Sequence, residues 1–171
     1  GIYLGSATTT ADSNVVFGNR DAIVGYGDML RNRVYDNERY GLYLTYYGSS
    51  GTIGENVVYS NDLGILVSAY YSGVTIRNNL VYDNTSGGVR IEGGTGRQMI
   101  NNTIYQLTGD AIRVQGSANT TTLRNNILVV GSGYGVSVAN DSQTGFVSDY
   151  NLFHTTGTGQ VGLWQGVARP G

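Results

Sequence analysis

Apolar and polar residues alternate along most of this chain in runs that are too short to form a helix. The runs that follow a glycine or an alanine read GIYL, GLYL, GILV, GVRI, AIRV and GVSV. Alternation with a period of two is typical of a β-strand that buries one face and exposes the other. The pattern therefore predicts an all-β protein made of many short strands.

The strands recur about every two dozen residues, and an asparagine marks each repeat. The gaps between these asparagines are 18, 24, 23, 23, 24 and 25 residues. Each repeat holds three apolar runs whose order never reverses, so the chain has to coil, with equivalent strands stacked in parallel at about 4.8 Å. We predict a right-handed parallel β-helix, a solenoid of about seven coils with three short strands per coil. The marking residues are Asn14, Asn32, Asn56, Asn79, Asn102, Asn126 and Asn151.

We expect these asparagines at the sharp corner between the second and third strands of each coil. Asparagine tolerates the left-handed backbone conformation that such a corner needs, and stacked amides can hydrogen-bond from coil to coil. A second ladder is expected five positions further on and should fail at Leu107; its members are Asn19, Asn37, Asn61 and Asn84. Between the two ladders runs an aromatic row, which we interpret as stacked packing on one outer face: Phe17, Tyr35, Tyr59, Tyr82 and Tyr105, then Val129 and His154.

These residues carry a family resemblance. The segment TIRNNLVYDN with the following GGVRI resembles the parallel β-helix repeat of the pectate-lyase-like superfamily, and the resemblance runs from Gly1 to about His154. It implies the right-handed fold. It does not choose an activity, because the same repeat serves lyases, glycosidases, epimerases, phage tailspikes and adhesive stalks.

We expect one β-helix domain over residues 1–171, as a fragment or module of a larger protein. The chain opens inside a coil without a capping helix, and an open solenoid end exposes unpaired strand edges. End-to-end or homo-oligomeric association through these coil ends is therefore a possible partner contact. Residues 155–171 depart from the repeat and are predicted to be an irregular segment that can cap the last coil, with Trp164 in its core.

The composition excludes several classes of function. The formal net charge is −2 and 13% of the residues are charged, so neither nucleic acid nor membrane is an expected partner. The chain has no lysine and no cysteine, which removes Schiff-base chemistry and thiolate metal sites. No cofactor is predicted. Calcium is conceivable, but Asp36 and Asp83 lie two coils apart and make a poor cage.

The outward residues of the first strand type form a candidate polysaccharide surface. One row is expected to contain Tyr3, Tyr43, Leu66, Arg90, Arg113 and Ser137, and the irregular second coil cannot be placed in it. Aromatic rings beside a strand face are suited to the apolar side of a sugar ring. The alternative is an aromatic ladder packed on itself. The predicted substrate-binding residues are Tyr43, Tyr46, Tyr47, Tyr70 and Tyr71.

Arg90 and Arg113 are expected at equivalent positions of adjacent coils. Two guanidinium groups so close repel unless an anion lies between them, and a uronic-acid carboxylate would fit. Alternatively, Glu92 on the same face neutralises the pair in an exposed salt bridge. For a lyase the catalytic candidates are Arg90, Arg113 and Glu92, with no convincing base. Neither the paired aspartates of polygalacturonases nor the Asp-Pro-His-Asp signature of alginate epimerases occurs.

The sequence thus predicts an extracellular or cell-surface module that binds or processes acidic polysaccharide. The alternative is a structural or adhesive stalk without a sugar site. A working lyase is a third interpretation.

Overall fold

The computed structural model describes residues 1–45, 51–68 and 73–169. Within these residues the chain forms three sheets that run along a solenoid and one turn of 3₁₀ helix, Asn140–Ser142. In the described ranges, no helix has the length and apolar character needed to cross a membrane. The predicted all-β solenoid is confirmed.

Each coil contributes one strand to each sheet. Sheet A contains β1 (Ile2–Leu4), β4 (Asp21–Gly25), β7 (Tyr40–Leu44), β10 (Leu63–Ser68), β13 (Gly87–Glu92), β16 (Asp110–Gln115), β19 (Tyr134–Val138), β22 (Gln160–Trp164) and β23 (Val167–Arg169). Sheet B contains β2 (Thr10–Asp12), β5 (Asp28–Leu30), β8 (Thr52–Gly54), β11 (Thr75–Arg77), β14 (Gln98–Ile100), β17 (Thr122–Arg124) and β20 (Val147–Asp149). Sheet C contains β3 (Val15–Phe17), β6 (Arg33–Tyr35), β9 (Val57–Tyr59), β12 (Leu80–Tyr82), β15 (Thr103–Gln106), β18 (Ile127–Val130) and β21 (Leu152–Thr155).

The sheets pair strictly in parallel from coil to coil. Among the described residues the exception is β23, which pairs with β22 in antiparallel orientation. The second coil, which the sequence could not place, contributes β4, and its Val24 lies between Tyr3 and Tyr43 in the outer row of sheet A.

The core consists of rows of inward-pointing aliphatic side chains that stack from coil to coil. In sheet B, Ile53, Ile76, Met99 and Leu123 are in register on successive strands and are essentially fully buried. Burying a side chain of this size stabilises the fold by about 1.5 to 3 kcal/mol. Because every coil repeats the contact, the inward residue types recur at the same place in each repeat.

The asparagine ladder lies where the repeat predicts, but its residues do not provide the left-handed backbone. Asn56 donates from its backbone N–H and its Nδ2 to Oδ1 of Asn79, at 3.0 and 2.9 Å, and Asn79 does the same to Asn102. The left-handed residue precedes each ladder asparagine, so that part of the expectation was wrong. In a doublet such as Asn78–Asn79 the first asparagine turns the backbone and the second joins the ladder. The left-handed positions, with φ of 54° to 60°, are Ser13, Arg31, Glu55, Asn78, Asn101, Asn125 and Tyr150.

The second ladder runs one step further than predicted. Asn61 donates to Oδ1 of Asn84 at 3.0 Å, and the backbone N–H of Asn84 donates to Oε1 of Gln106 at 3.2 Å. The expected end at Leu107 was wrong, because the longer side chain of the buried Gln106 reaches the acceptor position from one residue earlier. Val130 lies opposite Gln106 in the next coil and cannot continue the ladder.

Part of the segment 155–171 extends sheet A. Strand β22 continues the parallel stack, and β23 folds back against it. The Trp164 ring packs at 5.6 Å from that of Phe146, and both rings lie partly buried against the last coil of the core. These contacts place Trp164 against the core, which is the position predicted for a cap.

Candidate functional site

Sheet A has the longest strands of the molecule, and their outer residues form two parallel rows. Its central strands β10, β13 and β16 each have six residues, whereas those of sheet B have three. In the first row Leu66, Arg90 and Arg113 lie on successive strands in register. In the second row Ser68, Glu92 and Gln115 are in register beside them. The structure therefore brings together the three residues predicted as catalytic.

The two arginines are only loosely paired with carboxylates. Nη1 of Arg90 lies 3.9 Å from Oε1 of Glu92, and Nε of Arg113 lies 3.9 Å from Oδ2 of Asp110. Both distances are too long for a charge-assisted hydrogen bond. The side chains of Arg90 and Arg113 keep exposed fractions of 30% and 49%. Glu92 Oε1 instead accepts a hydrogen bond from Nε2 of Gln115 at 2.9 Å. The guanidinium groups thus retain free donors toward solvent.

Asp110 is a site residue that was not predicted from the sequence. Its side chain is 15% exposed, and Oδ1 accepts the backbone N–H of Tyr134 at 2.9 Å. Burial raises the pKa of Asp110, while that hydrogen bond and the positive charges of Arg113 and Arg90 oppose the rise. The carboxyl group therefore faces two arginines without a direct hydrogen bond to either.

A sequence signal for Asp110 did exist. The tripeptide DAI occurs at residues 21–23 and again at residues 110–112. In both places the aspartate is the first residue of a sheet A strand and lies near an arginine. Arg39 forms a bidentate pair with Asp21, at 2.8 and 2.6 Å, and this pair lowers the pKa of Asp21.

An open depression lies beside the arginine pair. It has a volume of about 300 Å³ and is lined by Ser68, Glu92, Gly93, Gln115 and Gly116. Its size is at the lower end of small-molecule sites, and its donors and acceptors suit hydroxyl groups. A second cavity, of about 10 Å³ between Arg90, Asp110 and Arg113, is too small for any sugar ring.

Tyr43 extends this surface toward the first coils. Its hydroxyl hydrogen-bonds with Ser68, and burial is the main cause that raises its pKa. Its ring packs edge-on against Tyr40 at 5.1 Å, and the guanidinium of Arg39 lies 4.5 Å from the Tyr40 ring centre. Tyr43 therefore borders the depression through Ser68. The other predicted sugar-binding tyrosines, Tyr46, Tyr47, Tyr70 and Tyr71, lie outside the described residues.

The remaining candidates do not converge on this face. Asp36 and Asp83 are left-handed corner residues next to the second ladder. Across residues 1–45, 51–68 and 73–169, no group of three or more acidic or histidine side chains is arranged to hold a metal ion. His154 lies on sheet C, opposite Val129.

Comparisons with known proteins agree on the architecture. Residues 21–168 match a family model described as a right handed beta helix region. The periplasmic alginate epimerase AlgG has a similar structure, with 17% identity, a TM-score of 0.64 and coverage of 91% of this chain and 44% of that one. The A-module of the mannuronan C-5 epimerase AlgE6 from Azotobacter vinelandii gives 21% identity, a TM-score of 0.57 and coverage of 95% and 55%.

These similarities concern the fold. The chain spans about half the length of the structures it resembles. No curated protein matches its sequence.

Proposed function

The chain belongs to the right-handed β-helix family, and we propose that the outer face of sheet A binds acidic polysaccharide. The observation that carries this proposal is the in-register pair Arg90 and Arg113. Their strands lie about 4.8 Å apart, and each guanidinium is 3.9 Å from its nearest carboxylate oxygen. Two arginines at this spacing are stabilised by an anion between them, and arginine binds a carboxylate through two parallel hydrogen bonds.

A uronic-acid polymer supplies the matching chemistry. Its carboxylates would bind the arginines, and its hydroxyl groups would hydrogen-bond Ser68, Glu92 and Gln115 in the adjacent depression. Tyr43 would border the sugar ring nearest Ser68. The names of the similar structures, an alginate epimerase and a mannuronan epimerase, point to the same class of polymer.

The proposed ligand also suggests where the protein works. A polysaccharide chain is too large and too polar to cross a membrane unaided. We therefore assign the protein to the cell surface or to the space outside the cell, as a module of a polysaccharide-binding or polysaccharide-processing protein.

A second candidate function is proton transfer to or from a bound uronate, and Asp110 is the observation that favours it. A buried carboxyl group with a raised pKa beside two arginines can exchange a proton near a carboxylate that the arginines neutralise. Incubation with alginate in deuterated water tests this function. Deuterium that is incorporated at C5 of the uronate by the wild type, and not by Asp110→Asn, would support it. An unlabelled polymer would contradict proton transfer and leave only the binding function.

Affinity electrophoresis tests the binding function. We expect retardation in gels that contain alginate or pectin and none in gels that contain neutral dextran. The double variant Arg90→Gln with Arg113→Gln should weaken the apparent affinity at least about tenfold, which corresponds to about 1.4 kcal/mol. If no acidic polymer retards the wild type, the protein is better described as a structural or adhesive stalk.

Arg124→Gln is the matched control. Its side chain is 50% exposed and lies 3.7 Å from Asp149, so it resembles Arg113 in exposure and pairing, but it belongs to sheet B. We expect a change of less than about twofold, since an exposed, loosely paired arginine away from the site contributes little. An equal loss in Arg124→Gln and Arg113→Gln would show that only the net charge matters and would contradict a site on sheet A.

A further inference from the structure

Exposed apolar side chains gather on one side of the molecule, around sheet C. Of the eleven large hydrophobic residues that are exposed in the described ranges, eight lie on sheet C or at a corner directly beside it. Tyr3, Val147 and Val167 are elsewhere. The eight are Val15, Phe17, Leu80, Tyr105, Leu107, Ile127, Tyr150 and Leu152.

The outer face of sheet C is almost free of charge. Its outward residues form an aliphatic row and an aromatic row, and Arg33 is the one arginine or carboxylate residue in them. The Arg33 guanidinium lies 5.3 Å from the ring centre of Tyr35, and its Nη2 donates to the hydroxyl of Tyr59 at 2.7 Å. The aliphatic row is Val15, Arg33, Val57, Leu80, Thr103, Ile127 and Leu152. The aromatic row is Phe17, Tyr35, Tyr59, Tyr82, Tyr105, Val129 and His154.

This face does not offer rings for sugar stacking. From Phe17 to Tyr82, successive ring centres lie 5.1, 5.1 and 4.8 Å apart with interplanar angles of 10°, 6° and 6°. The rings therefore cover one another and present their edges to solvent, whereas a pyranose ring packs on an aromatic face. Arg33 is the one arginine in the two rows and already donates to the hydroxyl of Tyr59, which disfavours an acidic polymer as well. The stacked rings form an aromatic ridge beside the aliphatic row.

The exposed area is large enough for a stable protein interface. Aromatic side chains offer about 150 to 250 Å² when fully exposed and aliphatic ones less, so three aromatic and five aliphatic side chains that are 39% to 77% exposed present on the order of 700 Å². A standard interface buries about 800 Å² per partner, and the largest apolar patch of a typical monomer is about 300 to 600 Å². The summed apolar area on this side is therefore close to what one partner contributes to a standard interface.

We propose that sheet C is a homodimer interface, in which two copies of this chain pack these faces together. The ridge and the row make the face self-complementary. A twofold axis that runs parallel to the coil axis between the two molecules places the aromatic ridge of each copy on the aliphatic row of the other, at the same height. Arg33 then faces the aromatic row of its partner, where cation–π contact favours it.

The test is the molar mass in solution, measured by light scattering or sedimentation equilibrium over a concentration series. We expect a reversible dimer for the wild type. The double variant Leu80→Glu with Ile127→Glu should raise the dissociation constant at least about tenfold, because four carboxylates would enter an apolar interface. Val147→Glu is the matched control: Val147 and Ile127 are both 44% exposed, but Val147 lies on sheet B. This control should remain dimeric.

Two results would overturn the proposal. A wild type that is monomeric at every concentration has no such interface. A dissociation constant that is unchanged in the double variant, whose folding is checked by circular dichroism, would mean that association runs through another surface, such as the coil ends.

Cross-linking gives a readout that does not depend on weakening the interface. The chain contains no cysteine, so Thr103→Cys places a single thiol in the middle of the aliphatic row. A short bis-maleimide should link two copies of Thr103→Cys much faster than two copies of Val147→Cys. Equal rates would contradict a sheet C dimer.

Discussion

Sheets A and C share one interior, yet their outer faces carry opposite chemistry. The middle coils of sheet A present Arg90, Glu92 and Arg113 to solvent. The same coils of sheet C present tyrosine rings and aliphatic side chains, such as Tyr82 and Leu80. The inward residues of both sheets are interchangeable aliphatic groups that the stacking of coils requires. The outward residues, which distinguish the two faces, are therefore not constrained by the fold and are available for function.

Parallel stacking amplifies this difference, because every outer residue has its counterpart about 4.8 Å away on the next strand. A file of identical tyrosines is stabilising, as the stacked rings on sheet C show. A file of identical arginines is repulsive. Sheet A tolerates Arg90 next to Arg113 with Glu92 and Asp110 close by, at distances that leave both guanidinium groups accessible. The repulsive pair of arginines is thus a better indicator of a binding site than the stabilising stack of tyrosines.

The largest expected effect is a loss of stability of the whole coil, which carries both faces. Asn79→Ala deletes a fully buried ladder amide that accepts two hydrogen bonds from Asn56 and donates to the carbonyl of Ile53. Several buried groups lose their partners at about 1 to 3 kcal/mol each, so we expect a loss of at least about 3 kcal/mol in the free energy of unfolding. Urea denaturation followed by circular dichroism measures it.

The neighbouring Asn78→Ala serves as the control. Asn78 is exposed with a φ of 55° and is not part of the ladder. Placing alanine in the left-handed region costs about 1 to 2 kcal/mol at most. If both substitutions lower the free energy of unfolding equally, the ladder amide contributes no more to stability than the corner residue does. The amide stack is then not what stabilises the coil that carries the two faces.

A smaller effect should be confined to sheet C. Tyr59→Leu removes ring contacts with Tyr35 and Tyr82 and the hydrogen bond from Arg33. Aromatic pairs contribute about 0.5 to 1.5 kcal/mol each, so unfolding should become easier by about 1 to 3 kcal/mol. The urea midpoint should be measured in the Leu80→Glu, Ile127→Glu background to separate stability from self-association.

Retardation by alginate should stay unchanged in this Tyr59→Leu variant, since Tyr59 lies on the other sheet. Tyr105→Leu should change the midpoint less, because Tyr105 lies beyond the ring stack and is more exposed than Tyr59. A loss of alginate binding in Tyr59→Leu would show that the two faces are not independent.

The repeat allowed most of the fold to be predicted from sequence. Stacked coils impose the same requirement at the same place in every repeat, so the ladder asparagines, the inward aliphatic residues and the aromatic row all recur visibly. Gln106 was missed because side-chain length lets it reach a ladder position from a different residue number. Val24 was missed because the second coil has a spacing of 18 residues and shares few residue types with the others.

The candidate site was harder to predict for the opposite reason. A site residue is an exception to the repeat, and Asp110 stands in register with Gly87, which is itself in register with Leu63. No pattern connects these three residue types. The alternation in strands β13 and β16 is clear, and it allowed the positions of Arg90, Glu92 and Arg113 to be predicted. It could not predict how far the two arginines lie from carboxylates. Their role in binding, like that of the tyrosines outside the described residues, stays a prediction.

The smallest expected effect comes from removing the negative charge of Asp110 on sheet A. Asp110 competes with an anionic ligand for Arg113, from which it is 3.9 Å away. Asp110→Asn keeps an acceptor for the backbone N–H of Tyr134 and removes the negative charge. We expect alginate affinity at pH 8 to rise about two- to fivefold, or roughly 0.4 to 1 kcal/mol. Asp149→Asn, which leaves sheet A untouched, is the control and should show less than half of this gain.

The pH dependence of this gain has a definite sign. Burial raises the pKa of Asp110 above the usual range of an aspartate, near 3.9. As the pH falls from 8 toward that raised pKa, the wild-type carboxyl group takes up a proton and stops competing, while exposed uronates remain ionised down to about pH 5. The advantage of Asp110→Asn should therefore shrink as the pH is lowered from 8 toward the raised pKa of Asp110, as measured by affinity electrophoresis. A gain that grows as the pH falls would mean that Asp110 holds the arginines in place for the ligand instead of competing with it.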